Sequence, residues 1–98
     1  MQNRKIARLL AGETFISREP GNSMLPVIKS RQPVVLASAT WEEVEVGDIV
    51  YCRVKGRCYT HRVKAKDPSR GVLIANNKGR INGWTRQVFG KVVEILHK

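Results

Sequence analysis

The sequence predicts a mainly β fold, a small sheet folded over into a barrel and preceded by one short helix. Three observations carry that prediction. Short runs rich in Val, Ile, Tyr and Thr recur at spacings of roughly eight to twelve residues, punctuated by Gly, Pro and Asn. Two of these runs, between Asp48 and Lys66, flank Lys55-Gly56 as the arms of a hairpin would. Finally, 98 residues are enough for one hydrophobic core and too few for two, so residues 1–98 are expected to form a single domain.

Residues 1–12 form a helical N-terminal segment in this reading. Asn3 can cap a helix from Arg4 to Ala11, with Ile6, Leu9 and Leu10 on one face and Gly12 as its stop. Thr14 to Arg18 reads as a strand ended by Pro20-Gly21, a turn that delivers the chain to Ser23. Val34 to Ala37 is a buried strand that Pro33 starts. The acidic stretch 42–48 has no histidine or cysteine among its four acids and reads as a solvated connection.

In the hairpin, a two-residue turn at Lys55-Gly56 pairs Val54 with Arg57, Cys52 with Tyr59 and Val50 with His61. Alternation then puts Val50, Cys52, Val54, Tyr59, His61, Val63 and Ala65 on one face. Tyr51, Arg53, Lys55, Thr60, Arg62, Lys64 and Lys66 share the other, a basic plate. Cys52 and Cys58 fall on opposite faces, which argues against a bond between them. Val72 to Ala75 is a buried strand and 76–79 a turn; Arg80 to Thr85 is a polar connection, and Val88 to Leu96 the last strand, bulged at Gly90.

Charge is distributed unevenly. Residues 1–48 hold six Lys/Arg and six Asp/Glu, whereas residues 49–98 hold twelve and two, so the whole excess of +10 lies in the second half. An anionic partner is the natural reading, nucleic acid first, through Arg53, Lys55, Arg62, Lys64 and Lys66. A solvated sheet face is the bland alternative. No apolar run approaches the roughly 18 residues that would cross a bilayer, no membrane anchor is read, and the N-terminal charges interrupt any signal-peptide core; a cytoplasmic protein is expected. Two cysteines and two histidines without ligand spacing point to no metal and no cofactor.

Ser23 is the candidate nucleophile. A serine hydroxyl attacks at neutral pH only if a base takes its proton and donors hold the oxyanion that forms. The turn Gly21-Asn22 is placed to supply an N–H beside that of Ser23. His61 is the natural base, because its imidazole is neutral near an unperturbed pKa of about 6.5 and it is the one histidine inside an expected element. By default a lone histidine on an apolar face is a satisfied core residue.

Gly21-Asn22-Ser23-Met24-Leu25-Pro26, Gly47-Asp48-Ile49-Val50 and His61-Arg62-Val63, in this order, resemble the motifs of the signal peptidase and LexA-type serine peptidase superfamily. The resemblance spans residues 14 to about 93. It implies a LexA/signal-peptidase-like folded-over β-barrel and a serine endopeptidase-like activity on a peptide bond, with Ser23 as nucleophile and His61 as base. The usual base of the family is lysine; the histidine form seen here resembles that of the endoplasmic-reticulum and archaeal signal peptidases. Lys64 ranks below His61, since hairpin parity puts it on the other face. The acid that accompanies histidine in such relatives is replaced by Asn77 or Asn82 as the residue that would orient the ring. The resemblance is to small stand-alone members common in phage and bacterial genomes, and implies a peptide or protein substrate and a homodimer as a further option. The alternative is an inactive member of the same fold that binds nucleic acid or a regulatory protein partner through its basic second half.

Overall fold

The computed structural model describes residues 3–21 and 23–97. Asn3 caps the first helix, its Oδ1 accepting from the N–H groups of Lys5 and Ile6 at 2.9 and 3.3 Å. This helix, α1 (Arg4–Leu10), is too short to be stable in isolation and is held by burying Ile6 and Leu9. Seven strands follow: β1 (Thr14–Arg18), β2 (Pro33–Ser38), β3 (Ile49–Val54), β4 (Arg57–Asp67), β5 (Gly71–Ala75), β6 (Ile81–Thr85) and β7 (Val88–Ile95). They form one antiparallel sheet in the order β1-β2-β7-β3-β4-β5-β6, so the last strand inserts at the middle.

The β3–β4 hairpin has the register that its turn dictates. Lys55 and Gly56 both take positive φ, 51° and 83°, as a two-residue turn of this hand requires. Val54 accordingly pairs with Arg57, Cys52 with Tyr59 and Val50 with His61. One face of β3 carries Val50, Cys52 and Val54 into a cluster with Val44, Val63, Val72, Ile74 and Val88. Its other face carries Ile49 and Tyr51 into a second cluster with Ile6, Leu9, Met24, Ile28, Val34 and Leu36. The sheet then folds over on the first cluster. Thr85 Oγ1 donates to the Arg53 carbonyl at 2.6 Å and the Arg53 N–H donates to the Gln87 carbonyl at 2.9 Å, joining the β6 end to β3 across the intervening strands.

Three expectations need correction. Arg80 to Thr85 is not only a polar connection: Ile81–Thr85 pairs with β5 as β6, a strand whose Asn and Gly hide it from any apolar pattern. The bulge of β7 facing β3 falls at Phe89, beside Gly90, because Tyr51 pairs with Gly90 and Cys52 with Val88.

The basic plate is the third. Tyr51 is 4% exposed beneath α1, and its oxygen accepts from Asn3 Nδ2 at 2.7 Å. Arg53 is half-buried over the ring of Phe89. Val63 pairs with Ile74 but Ala65 with Leu73, so Lys64 is the extra residue of a bulge and alternation resets after it. Ala65 therefore leaves the Val63 face. Lys66 pairs with the buried Val72 and donates to the carbonyls of Val44 and Glu42 at 2.6 and 3.1 Å. Of the five expected nucleic-acid contacts Arg53 and Arg62 are half-buried and Lys55, Lys64 and Lys66 are exposed, Lys66 with its ammonium already committed to two carbonyls.

Gly90 records how closely α1 sits on the sheet. A Cβ there would lie 2.9 Å from the Ala37 carbonyl oxygen and from both Leu9 methyl carbons. Leu9 can yield but the β2 backbone cannot, so Gly90→Ala is expected to destabilise the fold by about 1–3 kcal/mol, an overpacking cost. Urea denaturation of wild type and variant measures it, with unchanged stability contradicting this account of the helix–sheet seam.

Candidate active site

Ser23 lies in the loop between β1 and β2, which the Arg31 N–H closes by donating to the Glu19 carbonyl at 2.8 Å. Its neighbour Met24 is 4% exposed and Ile28 8%, and both belong to the cluster under α1. These anchors hold the turn against the core while Ser23 itself stays exposed. Asn77, in the turn after β5, fastens the same loop from the other side. Its N–H donates to the Ser23 carbonyl at 3.0 Å and its Nδ2 to the Leu25 carbonyl at 2.9 Å.

His61 reaches the serine from β4. His61 is 6% exposed, and its Nε2 lies 2.8 Å from Ser23 Oγ. Nδ1 lies 2.6 Å from Asn82 Oδ1. An amide oxygen can only accept, so Nδ1 carries the proton; Nε2 is then the acceptor and the Ser23 hydroxyl donates to it. Tyr59, two residues earlier on the same strand face, stacks on the imidazole with ring centroids 4.9 Å apart. Burial pushes His61 below its ordinary value of 6.5, and the Asn82 bond partly opposes that. The ring is thereby kept neutral, and able to accept a proton, at neutral pH.

A bulge brings Asn82 to this position. Ile74 pairs with Gly83 and Ala75 with Ile81, which leaves Asn82 as the unpaired residue of β6. Strict alternation would not predict where such a side chain goes. Of the two asparagines read as candidates, Asn82 touches His61 and Asn77 holds the serine loop. Arg62, expected on the basic plate, spans the two motifs instead: Nη1 donates to the Gly47 carbonyl at 2.8 Å and Nη2 to Asn77 Oδ1 at 3.3 Å. Nothing in the sequence pattern distinguishes it from a surface arginine. Lys64 lies exposed in its bulge, outside the Ser23 and His61 bonds.

The proposed oxyanion turn is described in part. Gly21 has φ 110° and its N–H donates to Ser30 Oγ at 3.1 Å, which commits that donor. Asn22 lies outside the described residues. A cleft of about 230 Å³ opens beside the dyad, walled by Met24, Ile28, Val34, Tyr59 and Thr60, with Glu19 and Lys29 also lining it. Glu19 is held by Lys5 at 2.8 Å and by the Thr60 hydroxyl at 3.2 Å. Among the described residues no three His, Cys, Asp or Glu side chains converge to hold a metal ion, and no helix is long and apolar enough to cross a membrane.

Both titration and stability should register the buried imidazole. His61 is expected to titrate below 6.5 by NMR, and Asn82→Asp should move it upward because a carboxylate favours the imidazolium. Since the unfolded chain takes up this proton first, the His61 contribution to stability is complete above about pH 6.5 and declines as pH falls through the depressed folded value. A His61 titrating above 6.5 would contradict the geometry.

The family model described as Peptidase S24-like matches residues 4–93. No curated protein and no solved structure matches the chain.

Proposed function

The chain belongs to the Peptidase S24-like family, and we propose that it is a serine endopeptidase in which Ser23 is the nucleophile, His61 the general base and Asn82 the residue that orients it. The observation that carries this reading is the 2.8 Å contact between Ser23 Oγ and His61 Nε2. That distance is within the reach a base needs before chemistry begins.

The steps follow from the proton positions. As Ser23 Oγ attacks the peptide carbonyl, its proton passes to Nε2, and the positive charge spreads over an imidazolium whose Nδ1–H remains on Asn82 Oδ1. The carbonyl oxygen becomes an oxyanion, which the Ser23 N–H would hold. His61 then returns the proton to the departing amine, leaving an acyl ester on Ser23, which water hydrolyses by the same route in reverse roles. Asn82 fixes the tautomer as an aspartate would but lends no charge to the imidazolium, so catalysis should be slower than with a carboxylate in its place. Asn77 positions rather than reacts: it sets the height of the Ser23 turn through two hydrogen bonds, and Arg62 steadies Asn77. The substrate is a peptide or protein whose side chains enter the cleft beside the dyad.

A fluorophosphonate probe tests the assignment. Labelling should vanish in Ser23→Ala and fall by about two to four orders of magnitude in His61→Ala, the usual worth of a general base. Asn82→Asp should label faster than wild type, and the rate should decline on the acid side with a midpoint below 6.5. Equal labelling of wild type and Ser23→Ala would sink the proposal.

A further inference from the structure

The expected basic plate is dispersed, yet the charge excess of the second half still needs a surface. It has one at the far end of the sheet, on the side away from the first core cluster. Val72 pairs with Thr85 and both are buried. Alternation therefore turns the next pair, Leu73 and Trp84, outward, and Ala65 joins them from β4. All three are half-buried, and β6 is an edge of the sheet.

Cations surround this apolar strip. The Arg70 guanidinium lies 4.2 Å from the centroid of the Trp84 ring, and its side chain is 60% exposed. Arg86 reaches back to the Ser69 carbonyl, on the turn that carries Arg70. Lys64 is exposed in the bulge beside Ala65. Asp67, 3.5 Å from Arg70, is the one carboxylate paired at this end; among the described residues neither Lys64 nor Arg86 makes an ion pair.

We propose that this face binds single-stranded nucleic acid, with Trp84 and the stacked Arg70 as the platform for a base and Lys64 and Arg86 as contacts to the flanking phosphates. An indole with a guanidinium on it presents flat, polarisable surfaces to a nucleobase and tolerates any sequence. A polyanion without bases would need the charges alone. Duplex recognition by a groove requires a protruding reading element, whereas α1 has seven residues and spends its apolar face on the sheet. The surface is separate from Ser23, so the proposal stands or falls independently of peptidase activity.

The test is fluorescence anisotropy of labelled oligo-dT and oligo-U on the full chain at several salt concentrations, with a matching duplex and heparin as competitors. Binding to the single strands should weaken with salt at a log–log slope of about −0.7 per phosphate contacted. Trp84→Ala should lose roughly 5- to 100-fold in affinity, the usual range for one stacked base, with Trp84→Phe retaining most of it. Arg70→Glu and Lys64→Glu should weaken binding and flatten the slope. In a Trp41→Phe background, oligo-dT should quench the remaining tryptophan. Circular dichroism and urea denaturation establish that each variant is folded. No binding at low salt, preference for duplex, or equal affinity of folded Trp84→Ala and wild type would overturn the proposal; in the last case heparin competing as well as oligo-dT would assign the surface to a polyanion.

Discussion

His61 hangs between two hydrogen bonds, one to Ser23 and one to Asn82, and each comes from a different part of the chain. The ring can meet both only because the β3–β4 hairpin turns it inward, opposite Val50, and because the Ser23 loop and the β6 bulge both arrive beside it. A one-residue slip of that hairpin would exchange His61 for Arg62 and dismantle the site at once. The turn at Lys55-Gly56, whose two residues take positive φ, is therefore as much a part of the site as the side chains are.

The same strand distributes two tasks by parity. His61 faces the serine, and Arg62, on the other side, ties the Gly47 carbonyl to Asn77, which in turn holds the Ser23 loop by two bonds. His61 and Ser23 are thus aligned through one pair of adjacent residues. The hydrophobic anchors are equally economical. Met24 and Ile28, just after Ser23, are buried in the cluster that also receives α1, so the helix, the loop and the outer face of β3 share one core.

Bulges supply what alternation cannot. The one at Asn82 frees its side chain for the imidazole, and the one at Lys64 resets β4 so that the ammonium of Lys66 donates to the carbonyls of Glu42 and Val44. Buried groups elsewhere are kept neutral by the same desolvation that lowers His61: burial pushes the Cys52 thiol up to about 12, and it stays an unreactive core group.

Much of this was legible in the residues. The mainly β class, the capped helix and the hairpin register follow from local rules: capping oxygens, turn chemistry and a side-chain period of two act within a few residues and leave their pattern in the sequence. That Ser23 and His61, 38 residues apart, would meet is implied by the resemblance of their motifs and by no local rule. What only the tertiary structure decided depends on partners far along the chain. Whether Asn77 or Asn82 meets the histidine, whether Arg62 is a surface charge or a strut, and whether Ile81–Thr85 is a strand are settled by bulges and by the sheet folding over. A bulge costs one unpaired residue and shifts parity for all that follow, and a polar side chain takes whichever partner that shift brings within reach, so neither outcome is written in the alternation of the strand itself.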